Sequence, residues 1–171
     1  MEITIEKLTK EKFQEFGDVL SLKDNYTYKK INNGYTNRYD LSKFITNEKE
    51  INNNISISIF QGLQRPSPLI INMLECHPIA SQSFMPLQNG DWLIIVSKGN
   101  SKKPNLDNLK CFIANTHHGV NYYPGTWHHP LITLEKKQDF LVVDRDNIEK
   151  ENLTEFWFDD IVIKYLSLIH I

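Results

Sequence analysis

Apolar and polar residues alternate with a period of two along much of the chain, which is the pattern of a β-strand with one buried face. The clearest example is residues 55–59, where isoleucine and serine alternate strictly and predict a half-buried strand. The same reasoning predicts short strands at residues 3–5, 69–76, 83–87, 92–97, 110–114, 128–134 and 139–143. Turn-forming residues separate them, as at Asn89-Gly90-Asp91, Lys98-Gly99-Asn100 and Pro124-Gly125. Many short strands with almost no long helix predict an all-β protein, an antiparallel sandwich or barrel.

Four segments do not fit the strand pattern. Thr9 is placed to cap a short N-terminal helix that carries Phe13 and Phe16 on one face and ends at Gly17. Residues 24–40 are polar and rich in turn formers, so they predict a long loop, and residues 45–54 predict a surface excursion. Residues 104–109 are compatible with one helical turn.

The length and charge of the chain limit its class. At 171 residues it is predicted to form a single domain over residues 1–171, long enough for a sizeable core. A formal net charge of -2 with interspersed lysine and glutamate gives no basic patch, so no nucleic-acid partner is expected. The N-terminal segment is charged throughout and no apolar run reaches membrane-spanning length, so neither a signal peptide nor a membrane partner is expected.

The two cysteines bear on the cellular compartment. Cys76 and Cys111 each lie within an apolar strand pattern, and neither belongs to a CxxC pair. Such cysteines are usually buried free thiols rather than zinc ligands. A reducing, cytoplasmic compartment is therefore expected.

Two adjacent histidines follow the Pro124-Gly125 turn. His128 and His129 come directly after Trp127 at the start of a predicted strand, where a turn meets a rigid sheet. Adjacent strand residues point to opposite faces, so only one of these rings faces a barrel interior. An arbitrary His-His pair usually supplies one buried, hydrogen-bonded ring and one ring at an edge or interface. The Pro-Gly turn and Trp127 favour a functional role here.

A third histidine, His77, opens a turn after the predicted strand 69–76. Metal-dependent cupins carry two histidines and a carboxylate in this region, whereas Ile79 and Gln82 occupy the corresponding places in this chain. Glu75 is available but must share the inner face with His77. Because a catalytic metal site needs three ligands, a divalent metal held by His77 and His128 is left open and is not compelled.

Arg38 lies within a loop otherwise dominated by asparagine and tyrosine. A guanidinium in such a loop suits bidentate capture of a carboxylate, and the alternative is a solvated arginine. Arg145, at a predicted strand end, is expected to form an ion pair with Asp144 or Asp146.

Three motifs carry a family resemblance. They are His77-Pro78-x-x-Ser81-Gln82-x-Phe84-x-Pro86-Leu87, then Gly119-Val120-Asn121-Tyr122 with Trp127-His128-His129-Pro130-Leu131, and then Asp139-Phe140-Leu141 through Asp144-Arg145. In this order and spacing they resemble the ureidoglycolate lyase family, also called ureidoglycolate hydrolases. Weaker matches at Phe16-Gly17-Asp18-Val19 and Arg38-Tyr39 extend the resemblance over nearly the whole chain. Gln61 stands where the family usually has an arginine, and Arg65 nearby is a candidate substitute for it.

The resemblance implies a fold, an activity and a partner. The fold is a cupin-like double-stranded β-helix, a jelly-roll barrel, with one short N-terminal helix outside it. The activity is elimination of urea from ureidoglycolate to give glyoxylate in allantoin breakdown, a step that needs no redox cofactor. The expected assembly is a homodimer.

The resemblance also implies the site residues. His77 and one of His128 and His129 are expected to transfer protons, and the spacing after the Pro-Gly turn favours His128 as the inward ring. Contacts to the substrate are expected from Arg38, Gln82, Phe84, Asn121, Tyr122 and Trp127. Two other classes stay open: a metal-dependent cupin of another activity, and a non-enzymatic cupin that binds a small carboxylate.

Overall fold

A computed structural model describes residues 3–22, 27–47, 55–146 and 152–164 of the chain. One α-helix, α1 (Lys10–Phe13), and two short 3-10 helices, Asn32–Gly34 and Leu106–Asn108, lie within these ranges. The strands are β1 Ile5–Lys7, β2 Gly17–Leu20, β3 Lys29–Ile31, β4 Thr36–Arg38, β5 Ile55–Leu63, β6 Leu69–Cys76, β7 Gln82–Pro86, β8 Trp92–Ser97, β9 Lys110–Ala114, β10 Gly119–Tyr122, β11 Trp127–His128, β12 Ile132–Thr133, β13 Lys137–Arg145 and β14 Thr154–Ile163.

The strands form two large sheets and one hairpin. The larger sheet has the order β1-β9-β8-β11-β6-β14, with β12 also paired to β8, and the second has the order β2-β10-β7-β13-β5. The hairpin is β3-β4. The β1-β9 pair is parallel and the other pairs among the described residues are antiparallel. The prediction of an all-β, cupin-like fold with one short N-terminal helix is confirmed.

The main core lies between the two sheets. Trp92 from the larger sheet and Phe140 from the smaller one meet edge to face, with ring centroids 5.1 Å apart. Phe13 of α1 joins the same core and packs against Phe112 of β9, with ring centroids 5.8 Å apart. Burial of aromatic surface from all three elements therefore binds the sheets and the helix together.

The N-terminal helix is shorter than predicted. Thr9 caps it as expected, because its hydroxyl accepts a hydrogen bond from the Lys12 amide at 3.3 Å. The helix ends at Phe13 rather than near Phe16, because β2 begins at Gly17 and pairs with β10. Pairing of β2 with β10 therefore ends the helix earlier than its apolar pattern predicts.

A second core covers the outer face of the larger sheet. In β8 the side chains of Trp92 and Ile94 belong to the inner core, and those of Leu93 and Ile95 belong to the outer one. Cys111 lies in the outer core as well, and both cysteines are buried free thiols, as the sequence predicted. A strand buried on both faces reads as a continuous apolar run, which explains why β8 was predicted at its observed bounds.

Four parts of the sheets were not predicted. Strands β2, β10 and β14 were missed, and the predicted loop 24–40 contains the β3-β4 hairpin. The single strand predicted at residues 128–134 is two strands, β11 and β12, because Pro130 has no amide hydrogen to donate between them. Of the surface excursion predicted at 45–54, Thr46 forms a β-bridge to Ala80, and residues 48–54 lie outside the described part of the chain.

Strand β5 alternates as predicted, but its isoleucines face solvent. Ile55, Ile57 and Ile59 are 51%, 74% and 56% exposed. Ser58 is half-buried and lies opposite Val142 of β13, whose side chain belongs to the inner core. The buried half of this strand is therefore its serine face, and a row of isoleucines on the outer surface of the smaller sheet has no cover among the described residues.

Candidate active site

Three potential ligand residues meet where β6 and β11 pair. Glu75 of β6 lies directly opposite His128 of β11, so their side chains share one face of the sheet. His77 lies two residues beyond Glu75, just past the end of β6. The Oε1 atom of Glu75 is 3.5 Å from Nε2 of His128 and 4.0 Å from Nε2 of His77. Ligand atoms of all three residues lie within 4.8 Å of one another.

The Pro124-Gly125 turn brings the two histidines together. Gly125 has a φ of 84°, in the region that favours glycine, and its amide donates to the His77 carbonyl at 2.8 Å. The next residue, Thr126, receives the Nδ1 proton of His128 on its carbonyl oxygen at 2.9 Å. The turn therefore fixes the backbone of His77 and the ring of His128 at the same time.

Backbone carbonyls determine the tautomers of both rings. The Nδ1 atom of His77 lies 2.7 Å from the carbonyl oxygen of Asn152, and that of His128 lies near the Thr126 carbonyl. A carbonyl oxygen only accepts hydrogen bonds, so both Nδ1 atoms carry a proton. In the neutral rings each Nε2 then has a free lone pair, and both Nε2 atoms are buried without a hydrogen-bond partner among the described residues.

Two nitrogen lone pairs and a carboxylate therefore converge on one point. Three acceptors at such distances repel one another unless a proton or a cation lies between them. Two imidazole nitrogens and one carboxylate oxygen form a ligand set that suits a divalent transition metal. The residues Glu75, His77 and His128 each offer one ligand atom and fit such an ion.

The electrostatics of the cluster agree with this geometry. Burial alone would raise the pKa of Glu75, but the close approach and positive fields of His128 and His77 hold it below its usual value. Burial lowers the pKa of His77, and the neighbouring His128 acts in the same direction. Cation binding needs an ionised carboxylate and neutral imidazoles, so a metal ion would take the place of the ring protons whose charge lowers the pKa of Glu75.

Two polar side chains and one aromatic ring extend the site. Tyr122 stacks on His128, with ring centroids 4.2 Å apart and an 11° angle between planes. Gln82 lies opposite Tyr122 in the β7-β10 pair, and its amide nitrogen donates to the Asp144 carboxylate at 3.0 Å. This bond orients the side-chain amide of Gln82. The Oε1 atom of that amide is a buried acceptor with no partner among the residues described. Gln82 can therefore accept a hydrogen bond from an N–H or O–H group of a ligand.

His129 lies next to the cluster but outside it. Its Nδ1 atom is 2.7 Å from the carbonyl of Pro130, and its backbone amide donates to Ile95 at 2.9 Å. Burial lowers the pKa of His129 to about 4, and the positive charge of Arg65 contributes in the same direction. Arg65, the candidate substitute for the arginine that the family has at position 61, therefore exerts its field on this end of the site.

Several predicted site residues lie elsewhere in the fold. Arg38 is on the β3-β4 hairpin, 62% of its side chain is exposed, and it pairs with Asp40 at 2.7 Å. Trp127 is fully buried in the outer core, with its indole bound to the Asn100 carbonyl. Asn121 hydrogen-bonds Ser83. Phe84 belongs to the inner core. Of the residues predicted to contact substrate, Gln82 and Tyr122 border the cluster.

Sequence reasoning left out two contributors. Glu75 is not among the predicted ligands, although a single acidic residue inside an apolar strand, two positions from a histidine, is a usable signal. Asn152 was not considered, since it precedes a strand that was not predicted and lies 75 positions from the ring that it contacts.

The structure also has a cavity away from this cluster. Its volume is about 550 Å³, and it is bordered by Gly99, Pro104, Asp107 and Phe156. Neither Glu75 nor the paired histidines line it, and the orphaned acceptors belong to the cluster instead. The candidate active site is therefore the cluster rather than the cavity.

A two-sheet β-fold with a buried His–His–carboxylate cluster defines a cupin-type protein with a metal-competent site. Residues 1–164 match the family model described as ureidoglycolate lyase. A ureidoglycolate lyase from Brucella anthropi is 42% identical over 159 residues, which are 92% of this chain and 90% of that protein. One from Pseudomonas aeruginosa is 43% identical over 160 residues, with 92% and 91% covered. The chain belongs to the ureidoglycolate lyase family.

Solved structures give a more distant likeness. A 3,4-ketoisomerase from Helicobacter canadensis aligns with a TM-score of 0.45 and 18% identity, over 80% of this chain and 87% of that one. No helix in the described ranges is long and apolar enough to cross a membrane.

Proposed function

We propose that this protein is a lyase that eliminates urea from ureidoglycolate and leaves glyoxylate. The observation that carries the proposal is the cluster of Glu75, His77 and His128, whose ligand atoms lie within 4.8 Å of one another and whose two Nε2 atoms have no hydrogen-bond partner among the described residues. Membership of the ureidoglycolate lyase family supplies the substrate. The match over residues 1–164 supports one lyase-like domain rather than two.

The reaction breaks one bond of the central carbon of the substrate and one bond of the hydroxyl group that this carbon carries. The hydroxyl O–H bond and the C–N bond to the ureido group break, and the oxygen electron pair forms the carbonyl of glyoxylate. The C–N electron pair and one proton go to the departing nitrogen, which gives urea. The enzyme must therefore stabilise a deprotonating hydroxyl and hold the ureido group for protonation.

We assign the cluster to the substrate hydroxyl. Glu75, His77 and His128 would hold a divalent cation, and such an ion when bound would supply Lewis-acid chemistry at the substrate hydroxyl. Alternatively, the Nε2 atoms take the hydroxyl proton directly. The two roles exclude each other, because an Nε2 atom bound to a metal has no lone pair left for a proton. The convergence of a carboxylate with two lone pairs favours the cation.

Gln82 is suited to the ureido end of the substrate. Its Oε1 atom is a buried, unpaired acceptor, and its amide orientation is held by Asp144. A ureido group offers N–H donors, which would satisfy this atom. For the substrate carboxylate we keep Arg38 as the proposed anchor, since the family resemblance assigns it. Arg65 is the competing candidate because its charge acts on His129.

We further propose that the protein is a homodimer. The exposed isoleucines of β5 lie beside Leu141 and Val143 of β13, so a continuous apolar stripe runs along the outside of the smaller sheet. Asp139 and Arg145 lie towards its two ends, so a two-fold axis through the stripe brings opposite charges together. A cytoplasmic location is proposed as well, on the ground that both buried cysteines are free thiols.

Product analysis tests the proposed activity. The purified protein is incubated with ureidoglycolate, and urea, ammonia and glyoxylate are measured in the same samples. We expect urea and glyoxylate in equal amounts and no ammonia. Ammonia in place of urea would assign the protein to a hydrolytic route, and no turnover at any protein concentration would leave a non-enzymatic binding protein.

Metal removal and replacement separate the two roles of the cluster. The protein is treated with a chelator, assayed, and then assayed again after addition of Ni²⁺, Mn²⁺ or Zn²⁺. We expect turnover to be lost on chelation and restored by one of the ions. Full activity in demonstrably metal-free protein would assign the proton transfers to the imidazoles themselves.

A further inference from the structure

We propose that Asn152 is a positioning residue that fixes the ring orientation and tautomer of His77. The proposal rests on the proposed function, because it concerns the same site. Asn152 touches none of the three ligand atoms and acts through His77 alone.

The main chain of Asn152 holds the ring of His77. Its carbonyl oxygen lies 2.7 Å from Nδ1 of His77, and the residue is only 2% exposed. Because the carbonyl requires a proton on Nδ1, it leaves the lone pair on Nε2, which faces Glu75. Without this carbonyl, either ring nitrogen could carry the proton.

The side chain of Asn152 holds the turn that follows His77. Its Oδ1 atom accepts hydrogen bonds from the amides of Ile79 and Ala80, at 2.9 and 3.3 Å. The side chain therefore fixes Asn152 against the same short segment whose histidine its carbonyl contacts. Loss of the carboxamide would release the carbonyl from its place at the ring.

The two histidines differ in how they are held. The acceptor for His128 is Thr126, two residues earlier in the same turn, so its geometry is local. The acceptor for His77 is 75 positions away, just before β14. The position of the His77 ring thus depends on docking of a distant segment. The ring of His128 does not, so it serves as an internal control in the same protein.

The segment that follows His77 has a second set of contacts, which should preserve the fold when Asn152 is changed. Ser81 donates its amide to the Ile45 carbonyl at 2.8 Å, and its hydroxyl accepts from the Ile45 amide at 2.9 Å. Asn47 donates to the Pro78 carbonyl at 3.0 Å. Substitution of Asn152 should therefore loosen the ring of His77 without unfolding the turn.

The test compares Asn152→Ala with Asn152→Asp in the full-length protein. Alanine removes the Oδ1 atom that accepts from the Ile79 and Ala80 amides and keeps the main-chain carbonyl, whereas an aspartate oxygen can accept from the same two amides. Long-range ¹H–¹⁵N spectra of the histidine rings report which nitrogen is protonated, and calorimetric titration with Ni²⁺ measures the affinity of the site, which falls when a ligand is misoriented. Both measurements read the site whether or not ureidoglycolate is the substrate, so they separate this proposal from the proposed function.

We expect Asn152→Ala to disturb the ring signals of His77 and leave those of His128 unchanged. Ni²⁺ affinity should fall by about 10- to 100-fold, the usual effect of removing a partner that orients a metal ligand, and Asn152→Asp should restore most of it. Unchanged His77 signals in the alanine variant would overturn the proposal. Equal changes in both rings would also overturn it, since they would report general loosening. A folded aspartate variant that behaves like alanine would count against the side-chain contacts.

Discussion

Each imidazole of the cluster has only one nitrogen left for chemistry. Carbonyl oxygens occupy the Nδ1 side of His77 and His128, so both reactive Nε2 atoms face the carboxylate of Glu75. This arrangement costs free energy in the absence of a cation, because buried acceptors face one another. Such a cost is commonly retained where it serves a binding site.

Substitution of the cluster histidines should impair turnover without loss of fold. We expect His77→Asn and His128→Asn each to lower the rate by about 10²–10⁴-fold, because each removes an acceptor of the cluster. The matched control is His129→Asn. Its ring bonds the Pro130 carbonyl and lies outside the triad, so stability should fall more than turnover. Steady-state kinetics measure the turnover of each variant, and thermal unfolding measures its stability. A stable but inactive His129→Asn protein would make His129, rather than His128, the ring that acts in the site.

The carboxylate anchor can be identified with a pair of conservative changes. Lysine keeps the charge of arginine but loses its bidentate geometry. If Arg38 holds the carboxylate, Arg38→Lys should weaken transition-state binding by roughly 1.5–3 kcal/mol, and Arg65→Lys should have little effect. The ratio kcat/KM of each variant measures this. An unchanged kcat/KM in Arg38→Lys would remove Arg38 from the site, and a loss in Arg65→Lys would assign the anchor to Arg65.

At the scale of elements, the sheets depend on contacts that a strand pattern does not specify. Strand β10 contains Gly119-Val120-Asn121-Tyr122 and lacks simple alternation, yet it is central because β2 and β7 pair with its two edges. The predicted strand 128–134 is divided at Pro130, and both pieces still pair with β8. Tertiary pairing thus outweighs local pattern at both places.

An ion-pair network joins the segment after α1 to the larger sheet. Glu15 contacts Lys98, the residue after β8, and Lys110 of β9 at 2.7 and 2.9 Å, and these hydrogen bonds lower its pKa below the ordinary 4.5. A carboxyl whose pKa is lowered on folding stabilises the folded state above the unfolded pKa. That stability is lost as pH falls through the folded value.

Glu15→Gln should therefore destabilise the protein near pH 7 and have no effect in acid. The expected loss is roughly 0.5–1 kcal/mol, since the pairs are partly exposed and screened by solvent. Urea denaturation of both proteins at a series of pH values measures the difference, which should vanish once Glu15 is protonated in the native protein. A difference that persists at the lowest pH would trace the effect to packing rather than charge.

At the scale of the whole molecule, the isoleucine face of β5 needs an explanation. Exposed apolar side chains in a row on a sheet are unusual on a monomer and are typical of an interface. Strand β5 is also the edge of its sheet within the described ranges, and an unprotected edge invites pairing with another chain. A second copy of this chain would cover both features.

A charge placed in this face should separate the dimer. Ile57 is 74% exposed in one chain, so Ile57→Lys should leave the fold intact while opposing burial between two copies. Ile70→Lys is the control, because Ile70 is 42% exposed on the other sheet. Light scattering at micromolar concentration should give a monomer mass for the first variant and a dimer mass for the second. A monomeric wild-type protein would exclude the dimer.

The chain's own pattern was sufficient for much of the fold. Strands β6, β8 and β9 were predicted at their observed bounds, because alternation and apolar runs are local properties of strands. Thr9 was correctly identified as a helix cap for the same reason, since the capping bond spans three residues. The resemblance, carried by specific motifs, led to the family to which the chain belongs.

The site itself was decided by tertiary structure. Whether Glu75 meets His128 depends on the register of β6 against β11, and a shift of one residue would turn both to the other face. The orientation of His77 depends on Asn152, which no local pattern connects to it. Alternation in β5 likewise specifies two faces but not which one is covered. Sequence periodicity therefore determined where strands form, whereas pairing between distant strands determined which side chains share a site, because register and burial are properties of the assembled sheets.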